Sequence, residues 1–239
     1  MSKLLIVRHG QARIFTDDYD RLSELGFRQA TCLGEYWAQR QIIPDVIYSG
    51  TLLRQQQTAD AVADVLRDSG HEVPVRRIDE GVNEYPAEKI MKSLLPALRE
   101  SDPEIAQIAS AYEHAEEYQD RYRSLHQLLS IVVLRWIEGG YQIDHDLLSW
   151  AEFSGRVRSA FDEIMKSAGS GCTAAVFTSG GPVAISVQTV LQAPESTAAE
   201  LNWRVNNGSV TRMSWSGSRV SLDAFNDTGH LPFDMLSYR

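Results

Sequence analysis

The chain is short of cysteine, of basic residues relative to acidic ones, and of long apolar runs. Its two cysteines, Cys32 and Cys172, lie far apart and form no C-x-x-C pair. That excludes a disulfide scaffold and a zinc site built from cysteines alone. Lys plus Arg total 23 against 32 Asp plus Glu, a formal charge of −9 in 239 residues. Such a chain carries no broad basic face and is not a dedicated nucleic-acid binder, although a small cationic pocket stays open to it. Apolar stretches such as Leu4-Leu5-Ile6-Val7 and Ile131-Val132-Val133-Leu134 fall far below the ~20 residues that span a bilayer. Arg8 and His9 arrive before a signal-peptide core develops, so the expected compartment is the cytoplasm. Ser167 to Gly171 is glycine-rich but lacks the lysine and the spacing of a phosphate-binding P-loop. Asp144-His145-Asp146 has metal-ligand residue types, but adjacent side chains in an acidic loop read as solvated charge. No metal or cofactor is expected.

What is present is ordinary for a globular protein: 43% apolar and 23% charged residues. Leu4 to Val7 reads as a buried strand that enters an Arg-His-Gly turn. Ser23 caps a predicted helix to about Arg40, with Leu25, Ala30, Leu33 and Trp37 at helical spacing. After Pro44, Asp45 to Tyr48 reads as a second strand, Leu53 to Arg67 as a helix, and Glu72 to Ile78 as a third strand. From Pro86 to about Trp150 the texture becomes acidic, aromatic and helical, with Pro96 and Pro103 as breaks and Gly139-Gly140 as a helix end. Glu152 to Lys166 is again an amphipathic helix, Thr173 to Phe177 a strand, and Pro182 to Leu191 a helix. Two alternating strands, 209–215 and 219–225, close the chain around a Ser-Gly-Ser turn. This alternation predicts an α/β sheet covered by helices on both faces. Residues 1–239 are read as a single domain with a helical cap insertion at about 86–150.

In such sheets ligands bind beyond the carboxyl ends of the strands. Arg8-His9-Gly10, the Ser49 to Arg54 turn, Glu84 and Ser179-Gly180-Gly181 all follow predicted strands and are expected at one edge. They supply an imidazole, two guanidiniums, a carboxyl group and a glycine-rich turn opening a helix, whose N–H groups favour an anion. A neutral imidazole is a competent nucleophile toward phosphorus. Neighbouring guanidiniums disfavour the imidazolium and bind the oxygens over which charge spreads. A carboxylic acid can protonate the departing oxygen. The residue types together form a phosphoryl-transfer set.

These blocks resemble the histidine phosphatase superfamily, the phosphoglycerate-mutase-like proteins. Val7-Arg8-His9-Gly10-Gln11 matches the opening strand and Arg-His-Gly signature. Leu22-Ser23-Glu24-Leu25-Gly26 with Gln29-Ala30, and Tyr48 to Arg54 with Gln57-Thr58-Ala59, are similar to the next two motifs. Asn83-Glu84 stands where the family places its acid, and Asn226 to Leu231 looks like a C-terminal segment of bacterial members. The resemblance implies a three-layer α/β/α fold with a helical cap. It implies His9 as a nucleophile forming phosphohistidine, Arg8 and Arg54 as phosphate clamps, and Glu84 as proton donor, with Glu80 and Glu88 as nearby alternatives. Gly10, Ser179 and Gly180 would line the substrate site. The implied partner is a small phosphorylated substrate.

One departure stands out. Where the family usually has a second histidine before the late Gly-Gly, this chain has Ser179, as a subgroup of bacterial relatives does. A neutral donor is roughly half as strong as a charged one. His230 is a second candidate for the missing imidazole, against a plain tail contact. Three readings follow: a phosphatase, a mutase, or a weakly active or inactive phospho-ligand binder. Gln11-Ala12 follows Arg-His-Gly, where glycolytic mutases usually carry Glu-Ser. Tyr112, Tyr118, Tyr122, Trp136 and Trp150 read as packing in the insertion, and Arg121, Arg123 and Arg135 as helix-surface charge.

Overall fold

A computed structural model describes residues 1–13 and 18–238. The chain divides into two compact units, Met1–Glu84 with Arg156–Arg239, and Tyr85–Gly155. Among the described residues no helix is long and apolar enough to cross a membrane.

The first unit is built on a six-stranded mixed sheet. Its strands are β1 (Ser2–Arg8), β2 (Val46–Ser49), β3 (Arg77–Ile78), β4 (Thr173–Thr178), β5 (Val210–Ser216) and β6 (Arg219–Asp227), in the order β3-β2-β4-β1-β5-β6. β1 to β4 run parallel, and β5 joins β1 antiparallel before turning into β6. Leu4, Leu5, Ile6 and Val7 are all buried, as are Ala174 to Phe177, so the two central parallel strands are covered on both faces. On one face, Leu5, Val7, Ala175, Phe177 and Ile47 meet Ala30, Leu33 and Trp37 of α1 (Glu24–Gln39). Ala59, Val62 and Leu66 of α2 (Leu53–Asp68) complete that cluster. The rings of Trp37 and Phe177 lie 6.2 Å apart and tilted. Full burial of a side chain such as Phe177 contributes about 1.5–3 kcal/mol. On the other face, α7 (Gly180–Leu191) packs against β1 and β6. Tyr48 there reaches Ser167 of α6 (Trp150–Ala168) at 3.1 Å. Helix, sheet and helix layers give the expected α/β/α arrangement.

The second unit holds α3 (Ala87–Ser101), α4 (Pro103–His114) and α5 (Tyr118–Glu138). Trp136 packs with Tyr85, Trp150 and Phe153 at centroid distances of 5.3–5.5 Å. Trp136 and Trp150 are therefore packing residues, while Tyr118 is exposed and stacks on Tyr122. Arg123 and Arg135 form surface ion pairs with Asp120 and Glu138.

Three expectations need correction. Pro96 does not break its helix: α3 runs through it. Pro96 is on the exposed side, so the carbonyl it leaves without a donor faces water while buried Leu94 and Leu98 hold the helix. The strand predicted over 72–78 is reduced to Arg77–Ile78. Pro74 interrupts it without an N–H to give, and Val75 is 87% exposed. The helix expected from Pro182 starts two residues earlier, at Gly180, with the proline in its first turn. A further helix, α8 (Glu195–Asn202), follows Pro194; its polar composition hid it.

Cys32 and Cys172 are free, and burial raises both thiols above their ordinary pKa. His230 leans on Tyr36 at 5.9 Å, and its Nε2 donates to the Gly208 carbonyl at 3.1 Å. Its imidazole lies below its ordinary pKa because burial disfavours the charged form.

This packing makes two predictions. A Cβ on Gly10 would stand 2.4 Å from the Gly26 carbonyl oxygen, whereas one on Gly155 would meet nothing within 4 Å. Gly10→Ala is expected to lower unfolding stability by about 1–3 kcal/mol. Gly155→Ala is expected to raise it by about 0.5–1 kcal/mol, because alanine has the higher helix propensity. Urea titration of both variants checks the pair. For His230, a lowered folded pKa means that the unfolded chain binds more protons just below the ordinary value of 6.5. Its contribution is full above that value and is lost as pH falls through the folded one. The stability advantage of wild type over His230→Gln should therefore shrink on acidification, as read by melting curves at stepped pH.

Candidate active site

The parallel strands end together, and the expected residues follow them. Arg8 is in register with Thr178, and Ser49 with Phe177. Hence His9 after β1, the N-terminus of α2 after β2, and Ser179 after β4 share one edge. The backbone fixes this edge tightly. His9 N–H donates to Thr178 O at 2.8 Å, and Gly208 N–H reaches the carbonyls of Arg8 and His9 at 3.1 and 3.2 Å. Gly10 N–H donates to Thr58 Oγ1 at 3.0 Å, and that hydroxyl donates back to the Arg54 carbonyl at 2.7 Å. One threonine thus locks the His9 turn to the first turn of α2.

His9 is 5% exposed. Its Nδ1 lies 2.7 Å from the Gly10 carbonyl oxygen, and its Nε2 lies 3.1 Å from Arg54 Nε. A carbonyl only accepts and a guanidinium only donates. The two neighbours therefore require the tautomer with hydrogen on Nδ1 and a lone pair on Nε2. The lone pair accepts from a cation, so attack by Nε2 on phosphorus would require Arg54 to turn its N–H to a phosphoryl oxygen.

Arg54, 7% exposed, is shared. Its Nη1 donates to Asp20 Oδ1 at 2.6 Å, while Asp20 Oδ2 accepts from Leu53 N–H at 2.8 Å. Leu52 at the N-cap of α2 makes no side-chain cap bond, so Asp20 caps the helix from a distance and balances the arginine together. Arg8 is also buried, and its Nη1 donates to the Val205 carbonyl.

Glu84 is half-buried, and its Oε2 accepts from Gly181 N–H at 3.0 Å. The Glu84 carboxyl oxygen thus meets one of the N–H groups that the start of α7 leaves open. Arg156 donates to the Asn83 carbonyl at 3.1 Å. Burial lowers its pKa, and the charges of Glu80, Glu84 and Asp79 oppose that shift. Of the alternative acids, Glu80 is exposed on a 3-10 turn, and Glu88 is exposed and paired with Lys92.

Ser179 is 1% exposed and accepts a 2.9 Å bond from Gln55 Nε2. Gly10 uses its N–H on Thr58 and its carbonyl on His9, so its part is steric: it admits the Gly26 turn. Gly180 is likewise a close approach, since a Cβ there would sit 2.5 Å from Asn202 Oδ1. The structure thus brings together His9, Arg54, Ser179 and their supports at one edge, with Glu84 on the same helix start. Sequence reasoning missed Gln55 and Asp20. Gln55 had one signal, its place directly after Arg54; Asp20 had none.

Comparison with known proteins agrees with this fold. The chain matches the family described as the histidine phosphatase superfamily (branch 1) over residues 4–130 and 87–228. It is 39% identical over 66 residues to phosphoglycerate mutase 1 of Saccharomyces cerevisiae, a stretch covering 25% of this chain and 27% of that protein. Among solved structures, a phosphoserine phosphatase mutant from Entamoeba histolytica with phosphoserine superposes with a TM-score of 0.62 at 19% identity. That match covers 97% of this chain and 100% of the other. A mycobacterial glucosyl-3-phosphoglycerate phosphatase gives 0.58 at 22% identity over 94% and 98% of the two chains. Phosphoglycerate mutase from Bacillus anthracis gives 0.62 at 18% identity over 96% and 94%. These likenesses carry the fold. With the family match running over most of its length, and with an Arg-His-Gly turn at the carboxyl edge of its sheet, the chain belongs to the histidine phosphatase superfamily.

Proposed function

We propose that this protein is a cytoplasmic, metal-independent phosphatase that hydrolyses a small phosphomonoester through a phosphohistidine on His9. The observation that carries the reading is the His9 imidazole, with Nδ1 on the Gly10 carbonyl and Nε2 on Arg54 Nε. In the first step the Nε2 lone pair forms a bond to phosphorus and the ester P–O bond breaks. The departing alkoxide takes a proton from the Glu84 carboxyl group. In the second step Glu84, now a carboxylate, takes a proton from water as the water oxygen attacks phosphorus. The N–P bond breaks, and inorganic phosphate and neutral His9 are restored. Arg54 and Arg8 act on the phosphoryl oxygens, where charge accumulates, and Ser179 donates a hydrogen bond there. The helical insertion at about 86–150 is read as a cap of the same domain and as the seat of substrate choice.

A mutase is the second reading, favoured by the 66-residue match to the yeast mutase and opposed by Gln11-Ala12 after the signature. Ser179 supports the third, a binder of phosphorylated ligands with little or no turnover.

The test uses an aryl phosphate, phosphoserine and 3-phosphoglycerate, the last two because related structures hold them. Rapid quenching should trap an acid-labile phosphate on the peptide bearing His9. His9→Ala should lose at least about 10³-fold in kcat while keeping its melting temperature, and a chelator should leave wild-type turnover intact. Inorganic phosphate as product supports the phosphatase, and a positional isomer of phosphoglycerate supports the mutase. Undiminished turnover by His9→Ala would sink both.

A further inference from the structure

Ser179 occupies the N-cap of α7, yet its side chain makes no cap bond, although serine is among the residues that most favour one. Its side chain turns instead toward Gln55, whose Nε2 donates to the Ser179 hydroxyl oxygen at 2.9 Å. Both residues are interior, at 1% and 0% exposure. Ser179 also stands beside His9: it follows Thr178, the register partner of Arg8 on the adjacent parallel strand, where neighbouring backbones lie about 5 Å apart. Gln55 follows Arg54 in the chain. Successive residues at the start of α2 thus reach His9 Nε2 and Ser179 Oγ.

A hydroxyl has one hydrogen to give and two lone pairs to receive with. Because Gln55 presents its nitrogen, it occupies a lone pair and leaves the hydrogen uncommitted to that contact. An amide presenting its oxygen would consume the hydrogen. The orientation has a cost elsewhere: Gln55 Oε1 is buried with no hydrogen-bond partner among the described residues. It lies in the space left by Gly50, where a Cβ would come within 2.0 Å. Buried amide oxygens are rarely left in this state, and the contact made at the other end, Nε2 to Ser179, is the one polar bond this buried amide shows among the described residues.

We propose that Gln55 is a positioning residue that holds Ser179 by a lone pair, so that the Ser179 hydroxyl hydrogen is delivered to an oxygen of the phosphoryl group on His9. The inference rests on the reading of His9 as the nucleophile and deepens it. The Gln55–Ser179 pair then does with a neutral, oriented donor what a second imidazole does with a charged one. The same amide contact explains why a serine so placed does not cap its own helix.

The experiment is a double-mutant cycle with an aryl phosphate, read as kcat and KM. Gln55→Met keeps the side-chain volume and removes the donor, and Ser179→Ala removes the hydroxyl. Each is expected to lower kcat about tenfold with little change in KM, the scale of one lost hydrogen bond. The double variant should lose no more than the worse single one. Losses that multiply to about a hundredfold, or an unchanged kcat in Gln55→Met, would overturn the proposal. If wild type proves to bind without turnover, the same cycle is read on vanadate affinity: non-additive losses support the proposal, and additive losses overturn it. If Gln55→Met fails to fold, Gln55→Glu replaces it. A carboxylate only accepts and turns the hydroxyl away, whereas its protonated form donates. The activity of Gln55→Glu relative to wild type should then rise as pH falls, and that rise should vanish in Gln55→Glu/Ser179→Ala. A pH-independent ratio would overturn the proposal. His9→Ala runs alongside: turnover there rejects the nucleophile reading and the proposal with it, whereas a dead His9→Ala with an additive cycle rejects the proposal alone.

Discussion

The imidazole of His9 is held between a carbonyl that can only accept and a guanidinium that can only donate. Neither neighbour can reverse its part, so the ring keeps its hydrogen on Nδ1 and its lone pair on Nε2. Other features at this edge serve that constraint. The Gly10 carbonyl is in place because Thr58 anchors the Gly10 N–H and because Gly26 lets the two turns touch. Arg54 is in place because α2 starts where β2 ends, and Asp20 holds both its Nη1 and the helix N-terminus. A side chain larger than hydrogen at position 10 would move the carbonyl that selects the tautomer. The stability of the turn and the protonation of the ring are therefore one problem.

This coupling explains which parts of the site were legible in sequence. Arg8, His9 and Gly10 are consecutive, and a strand followed by Arg-His-Gly carries its meaning locally. Arg54 was legible because it opens a helix after a strand, with Thr58 one turn on. Glu84 was chosen from its place after Asn83, whereas its bond to Gly181, across 97 positions of chain, is seen only in three dimensions. Gln55 and Asp20 depend on partners 124 and 34 positions away. Nothing in its immediate sequence distinguishes Asp20 from a surface polar residue, and Gln55 has only its place after Arg54. The strands and most helices were legible because burial on both faces leaves apolar runs. The exceptions were elements whose stability comes from position: Pro96 in α3 faces water, and the β3 edge has too little to bury.

Charge shows the same division between local and global. The chain has nine more acidic than basic residues, and yet its sheet edge gathers Arg8 and Arg54 in nearly solvent-free positions. Buried cations need acceptors, since desolvation without them is costly. Val205 and Asp20 provide them. Glu84 does the complementary task for the N–H groups of α7. The edge thus holds donors that are already aimed and already partnered within the protein. On the proposed function, an arriving phosphoryl group would meet N–H groups whose directions are fixed before it binds, and it would compete with Asp20 for Arg54. Preorganised donors cost little reorganisation at the moment of reaction. Arg54 is held by a carboxylate and Arg8 by a neutral carbonyl, so on the proposed reading a phosphomonoester dianion would have to offer Arg54 more than Asp20 does. The local arrangement of charge at this edge is therefore set by Arg8, Arg54, Asp20 and Glu84, and the net charge of the chain has no bearing on it.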